Sequence, residues 1–230
     1  MILDIYRFDT LDYADALNMQ LDLQKRRQND EINDSLILLE HPPVLTIGRN
    51  GSAGDILLGE NTLEKKGITV HRISRGGDVT YHGPGQLTAY IIINLYREQK
   101  SLRRLVEKLE QVVIDLLERE FGIRTERHPS YRGVWYGDKK ISALGISVDR
   151  GVTMHGIALN VQPDLTHFSW IIPCGIRDKS VTSIEEITGK MNNMENVCIK
   201  FTDHFCRIFG YDRTEFPEYQ NTAREKTNGN

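Results

Sequence analysis

Cysteine is scarce in this sequence. Of its 230 residues only Cys174, Cys198 and Cys206 are cysteines. An odd number at wide spacing builds no disulfide framework, so the thiols are expected to be free, as in a reducing compartment. His204 and Cys206 lie two residues apart with no matching pair elsewhere, which is poor spacing for zinc. No apolar run approaches the roughly 20 residues that a membrane-spanning helix needs. The start of the chain, Met1 to Arg7, has neither the basic segment nor the apolar stretch of a signal peptide. Both absences predict a cytoplasmic protein without a membrane partner. A basic excess is missing too: the formal net charge is −3, which argues against bulk nucleic-acid binding. No linker rich in proline, serine or glycine divides the chain, and no repeat is visible. One domain over residues 1–221 is expected, followed by a polar tail at 222–230 that frays.

What is present is enough for a core, with 39% hydrophobic residues. Tyr13, Leu17 and Leu21 recur at helical spacing and predict a helix from Thr10 to Gln28. Ser35 to Leu39 and Val44 to Ile47 read as strands separated by His41-Pro42-Pro43, which forbids helix. Ile68 to Ile73 is a further strand. Leu87 to Leu95 is nearly all apolar and suits a strand buried on both faces. Ser101 can cap a helix whose inner face carries Leu102, Leu105, Leu109, Val112, Leu116 and Phe121, with Gly122 as its stop. Gly133 to Tyr136 is short and aromatic. Lys140 to Val148 and Val152 to Val161 flank Asp149-Arg150-Gly151, a hairpin turn. A last helix runs from Met194 to Phe209, with Val197, Phe201, Phe205 and Ile208 inward and Gly210 as its end. Strands and helices without a βαβ rhythm predict an α+β fold: a mixed, largely antiparallel sheet flanked by helices.

Four stretches carry polar groups where chemistry needs them. The first is Arg75-Gly76-Gly77-Asp78-Val79-Thr80-Tyr81-His82-Gly83-Pro84-Gly85-Gln86, read as a shaped loop. Paired glycines let a ligand approach the backbone, and Arg75, Tyr81, His82 and Gln86 supply donors around it. No Gly-Lys-Ser/Thr follows, so it is not a phosphate loop of the Walker type. The second is Lys140-Ile141-Ser142-Ala143-Leu144-Gly145, where alternation sends Lys140 either to solvent or into a cavity. In a cavity, burial or a nearby positive charge would lower its pKa and suit it to proton transfer. The third is His155-Gly156-Ile157-Ala158-Leu159-Asn160-Val161, a strand interrupted by a glycine that marks a bulge or a ligand's approach. His155 alone also fits a hydrogen-bonded core residue. The fourth is Pro173-Cys174-Gly175, a turn that can hold a thiol at the rim of a pocket. A thiolate attacks thioesters well, though a lone cysteine is also compatible with inert packing. Cys198 and Cys206 sit on the apolar last helix and read as core.

These motifs in this order, together with His41-Pro42-Pro43-Val44 and Tyr90, resemble the lipoyl(octanoyl) transferase family. The resemblance covers most of the chain and implies the fold of biotin- and lipoate-protein ligases. It implies that Cys174 is the acylated nucleophile and Lys140 the lysine paired with it. It places Arg75, Gly76, Gly77, Asp78, Val79, Thr80, Tyr81, His82, Ala143, Leu144, Gly145, Gly156, Ile157 and Ala158 around the acyl chain. His155, Gln86 and Asn160 are supporting residues. The implied donor is octanoyl-acyl carrier protein. The implied acceptor is a lysine of a lipoyl domain, in a 2-oxoacid dehydrogenase or the glycine cleavage H protein. Neither ATP nor a metal is implied, and the chain is expected to act as a monomer.

Other functions compete. An ATP-dependent lipoate–protein ligase of the same fold would need no nucleophilic cysteine. A non-catalytic acyl- or lipoyl-domain-binding module would tolerate loss of Cys174. A thioesterase would let water take the acyl group. A local cluster, Arg103, Arg104, Arg124, Arg127, Arg132, Lys139 and Lys140, is either a solvated face or a dock for an acidic partner.

Overall fold

The computed structural model describes residues 1–96, 101–172 and 180–211, with the backbone of 213–215. Cys174 and the 222–230 tail lie outside the described residues. The strands are β1 (Ile2–Thr10), β2 (Asp34–Glu40), β3 (Val44–Ile47), β4 (Thr69–Arg72), β5 (Val79–His82) and β6 (Gln86–Ile92) in the first half. The second half adds β7 (Glu126–Arg127), β8 (Val134–Tyr136), β9 (Lys139–Asp149), β10 (Val152–Asn160), β11 (Ser180–Val181) and β12 (Arg213–Glu215). The helices are α1 (Tyr13–Gln28), α2 (Glu60–Lys65), α3 (Leu102–Phe121), α4 (Ile184–Thr188) and α5 (Met194–Phe209).

Nine strands form one sheet in the order β12-β1-β2-β6-β10-β9-β8-β7, with β11 also beside β9. Its pairs are antiparallel except β1 with β12, β1 with β2, and β9 with β11. A second sheet of three strands has the order β4-β3-β5. The mixed, largely antiparallel sheet with flanking helices is the architecture expected from the sequence.

The central strands β2 and β6 are buried on both faces, and most of their positions are apolar. Leu36, Leu38, Ala89 and Ile91 face α3 and α5, while Ile37, Leu39, Tyr90 and Ile92 face α1. α3 shows the spacing that its sequence predicts, with Leu105, Leu109, Val112 and Leu116 buried, Ser101 capping its start and Gly122 left-handed at its end. Leu102 departs from that stripe and is 42% exposed. In α5, Val197, Phe201 and Phe205 are buried as expected, and Phe209 rather than Ile208 completes the stripe.

α1 differs from its sequence reading. It starts at Tyr13 because β1 runs through Thr10 and Asp12 caps the helix. Tyr13 is buried as expected but Leu21 points outward, and the inner face is Tyr13, Ala16, Met19, Gln20, Leu23, Gln24 and Arg27. Three of those seven positions are polar, and each has a partner on the sheet. Gln24 donates to Val152 O at 2.9 Å, Gln20 accepts from the His155 N–H at 2.9 Å, and Arg27 pairs with Asp34 at 2.8 Å. Apolar spacing cannot register such a face. β1, α2 and α4 were likewise not anticipated. Nor is Arg75 to Gln86 all loop, since it contains β5.

Asp34 is the most heavily used of these polar groups. Its buried carboxylate accepts from Arg27 Nε, from the Asn94 N–H at 3.0 Å and from Tyr211 O–H at 2.9 Å. Removing one partner of a buried, hydrogen-bonded charge pair leaves the other uncompensated. Asp34→Ala should therefore cost about 3–5 kcal/mol of stability in urea unfolding. A loss under about 1 kcal/mol would show that water replaces the carboxylate there.

Candidate active site

The site forms where the chain crosses between the two sheets. It leaves β2 through His41-Pro42-Pro43 to enter β3, and returns from β5 to β6 through Gly83-Pro84-Gly85. The crossings are side by side, with the rings of His41 and His82 5.8 Å apart. Gly85 (φ 82°) makes the second turn possible: an added Cβ would stand 2.3 Å from Gln162 O, and Gly85 O accepts the N–H groups of Val161 and Gln162.

A polar chain starts at that turn. His82 Nδ1 lies 2.7 Å from Gln86 Oε1, Gln86 donates to Asn160 Oδ1 at 2.9 Å, and Asn160 donates to Thr182 O at 3.0 Å. The amide oxygen can only accept, so His82 carries its proton on Nδ1. By the same reasoning His41 donates from Nδ1 to Leu11 O (2.7 Å), and its Nε2 accepts from Tyr90 O–H (2.6 Å). These three supporting and binding positions from the sequence, His82, Gln86 and Asn160, thus form one connected unit.

Arg75 ties the glycine loop to the small sheet. Its Nη2 donates to Thr46 O (2.9 Å) and Thr46 Oγ1 (2.8 Å), and Nη1 donates to Gly76 O (3.0 Å). Gly76 N–H reaches Ile146 O on β9 at 3.2 Å, so the loop bridges both sheets.

The cavity is about 460 Å³ and partly open. Arg75, Gly76, Gly77, Asp78, Val79, Thr80, His82, Gln86, Lys140, Ala143, Leu144, Gly145, His155, Gly156, Ile157, Ala158 and Asn160 all line it. The sheet floor is built of small residues in register: Ala158 opposite Ala143, and Gly156 opposite Gly145. On the other side of β10, Thr88 stands opposite Ala158 and Tyr90 opposite Gly156. Gly156 has to lack a side chain, since a Cβ would lie 1.9 Å from Ala89 O. Just before it, His155 adopts φ 65°, and its N–H leaves the ladder for Gln20. The result is a shallow apolar track with polar groups along its edges.

Tyr81 is not part of the cavity. It belongs to the core of the small sheet, with Phe168 and Trp170 against its ring and its hydroxyl 2.7 Å from His167 Nδ1. Strand alternation sends Thr80 and His82 to the cavity side of β5 and Tyr81 to the other, while Val79, in the same cluster as Tyr81, reaches the cavity only from the start of the strand.

Lys140 lines the cavity because β9 has a bulge. Val134 pairs with Ser142 but Trp135 pairs with Lys140, so Ile141 is an extra residue and the alternation resets there. Lys140 and Ala143 therefore share the cavity side, while Ile141 enters the main core. The Lys140 ammonium sits 4.9 Å from the centre of the Trp135 ring.

Sequence reasoning passed over Tyr13, Asn50, Thr88, Ser130, Tyr131, Phe168 and Val181 as lining residues. Thr88 had a legible signal: it stands two residues from both Gln86 and Tyr90, on the same strand face. Ser130 and Tyr131 are neighbours in the segment before β8, and the others come from separate elements. The basic cluster is partly neutralised, through Arg103–Glu107, Arg127–Glu110 and Lys139–Glu186 pairs. Burial pushes the Cys198 and Cys206 thiols up to about 11, which fits their reading as packing residues. Among the described residues no group of three or more His, Cys, Asp or Glu side chains could hold a metal ion, and no helix is long and apolar enough to cross a membrane.

Burial holds three histidines of the site neutral. It lowers His82 to about 3, with His41 and Arg75 adding to the effect, and it lowers His41 to about 4. His155 also falls to about 4, through burial and then the charge of Arg75. Each binds a proton more readily when unfolded, so folding stability is intact above the ordinary histidine value of about 6.5 and is lost as pH falls towards 4. Each histidine can contribute a slope of up to about 1.4 kcal/mol per pH unit. Urea unfolding between pH 7 and pH 5 should show this loss, and replacing His82 with Gln should flatten it. A pH-independent midpoint over that range would mean the histidines are charged in the folded state.

The lipoyl protein ligase A/B catalytic domain model matches residues 12–206. An octanoyltransferase of Caldicellulosiruptor saccharolyticus is 46% identical over 211 residues, covering 91% of this chain and 90% of that protein. Among solved structures, a T. acidophilum protein described as a lipoate protein ligase, with bound lipoic acid, superposes with a TM-score of 0.73 at 17% identity, covering 99% of this chain and 92% of that one. The biotin protein ligase of Aquifex aeolicus superposes with a TM-score of 0.53 at 16% identity, over 91% of this chain and 70% of that one. At those identities the structural likeness concerns the fold, and it is the fold expected from the motifs. Matched over most of its length by both the domain model and a close relative, this chain belongs to the lipoyl protein ligase A/B catalytic domain family and, within it, to the octanoyltransferases.

Proposed function

We propose that this protein transfers an octanoyl group from octanoyl-acyl carrier protein to a lysine of a lipoyl domain, through a thioester on Cys174. The observation that carries the reading is the 46% identity to an octanoyltransferase over nearly the full length of both chains. The cavity is its physical counterpart: a floor of alanine and glycine takes an extended alkyl chain, and each methylene buried there contributes about 0.8 kcal/mol.

In the first half-reaction Lys140 takes the Cys174 proton. The thiolate attacks the carbonyl carbon of the octanoyl thioester, and the tetrahedral oxyanion collapses with loss of the carrier's phosphopantetheine thiolate, which is protonated as it leaves. In the second, the neutral lysine amine of the acceptor attacks the acyl-enzyme. The amide forms, Cys174 is released, and Lys140 again serves as base. The thioester is already activated, so the transfer requires neither ATP nor a metal. Two described features support these roles: Lys140 lines the cavity, and Cys174 falls in sequence between Phe168 and Val181, which both line it. The neutral histidines and the His82–Gln86–Asn160 chain hold the polar edge of the cavity without adding a competing nucleophile.

Mixing the protein with octanoyl-carrier protein, without ATP or acceptor, should add one octanoyl mass, labile to hydroxylamine and mapped to Cys174. Cys174→Ala should abolish transfer, whereas Cys198→Ala and Cys206→Ala should leave it within about twofold. No adduct, with acceptor modified only when ATP and free acid are supplied, would make the protein a ligase instead. Rapid release of free octanoate without acceptor would make it a thioesterase.

A further inference from the structure

Trp135 is a fully buried aromatic residue beside two cavity-lining side chains, Lys140 and Tyr131. It is 1% exposed, and its strand position is directly opposite Lys140. Its orientation is held from several directions. The indole N–H donates to Tyr131 O at 3.3 Å, and the rings of His128 and Tyr131 lie 5.2 and 6.0 Å from it. One face of the indole is left to the Lys140 ammonium, 4.9 Å from the ring centre. Tyr131 itself lines the cavity, so the same cluster shapes the wall and aims the lysine.

An indole face attracts a cation through its quadrupole, most strongly where water is excluded. We propose that Trp135 is a positioning residue for Lys140: its ring fixes the ammonium at the cavity and favours the charged form that accompanies a thiolate. This rests on the Cys174–Lys140 reading above and adds to it a source of the lysine's placement. The bulge at Ile141 is part of the same arrangement, since it brings Lys140 opposite Trp135 rather than turning it to solvent. Among the described residues, the other titratable or charged groups on the elements around Lys140 include Asp138 and Lys139 beside it, Tyr136 on β8, His128, Tyr131 and Arg132 before β8, and Glu185 and Glu186 on α4. Lys139 is paired with Glu186. A change confined to the indole quadrupole alters none of their charges.

Biosynthetic fluorotryptophan supplies that change while keeping the shape of the ring. The chain has two tryptophans, so Trp170→Phe is the reference background, which leaves Trp135 as the labelled residue. Mono-, di- and trifluoro forms are compared by the pH profile of iodoacetamide alkylation, read at Cys174 by mass mapping, and by steady-state transfer. The expected result is a thiol midpoint that rises stepwise with each fluorine, by about half a pH unit in total. The kcat should fall in parallel, with KM for octanoyl-carrier protein unchanged. A flat series, while Lys140→Ala moves the profile, would overturn the role of Trp135 and leave the Cys174–Lys140 pair standing. A profile that Lys140→Ala also leaves unmoved would remove the pair itself, and the positioning role with it.

Discussion

The close approach of backbone at Gly156 is the constraint on which the rest of the site depends. A side chain there would run into Ala89 O on the neighbouring strand. Without one, β10 can lie against β6 and present Gly156 and Ala158 beside Gly145 and Ala143 as a track without bulk. The break in regular strand geometry sits one residue earlier, at His155, where the backbone turns to positive φ and its N–H is taken by Gln20 of α1. The polar inner face of α1 follows from this. It is placed to satisfy a strand that has given up part of its ladder at His155.

Around that track the two sheets are joined by polar contacts rather than by apolar packing. Arg75 fastens the glycine loop to Thr46 in the small sheet, and Gly76 fastens it to Ile146 in the large one. Glu40, through the Gly85 N–H at 2.5 Å, and the His41–Tyr90 bond secure the two crossings between the sheets. Burial keeps His41, His82 and His155 neutral, so the charges that line the cavity come from Arg75, Asp78, Arg132 and Lys140. A site of this kind can hold a neutral thioester and an alkyl chain while a lysine moves protons at its wall.

The same frame recurs in ligases of the lipoate and biotin families, at identities under 20%. What is shared is the fold. The reading as a transferase comes instead from similarity along 91% of the chain to an octanoyltransferase, and from the presence of a cysteine in the sequence Pro-Cys-Gly. The chemistry separates at that point: a ligase has to activate a free acid, whereas a transferase receives a thioester that is already reactive.

Much of this was legible in the sequence, because the signals were local. Capping by Ser101, left-handed ends at Gly122 and Gly210, the Asp149-Arg150-Gly151 turn and the apolar stripes of α3 and α5 are consequences of neighbours within a few residues. The glycine loop and the His155-Gly156 break could be recognised as places of close backbone approach, since only glycine fits there. Tertiary structure alone decided the remainder. The direction of Lys140 was decided by a register shift against Trp135, which no alternation pattern within β9 contains. Tyr81 was turned away from the cavity by the side of β5 that the small sheet buries. The buried polar face of α1 was decided by partners on β10 and at Asp34, far away in the chain. In each case the deciding energy lies in a contact between distant segments, where a buried polar group is satisfied or a backbone is allowed to come close.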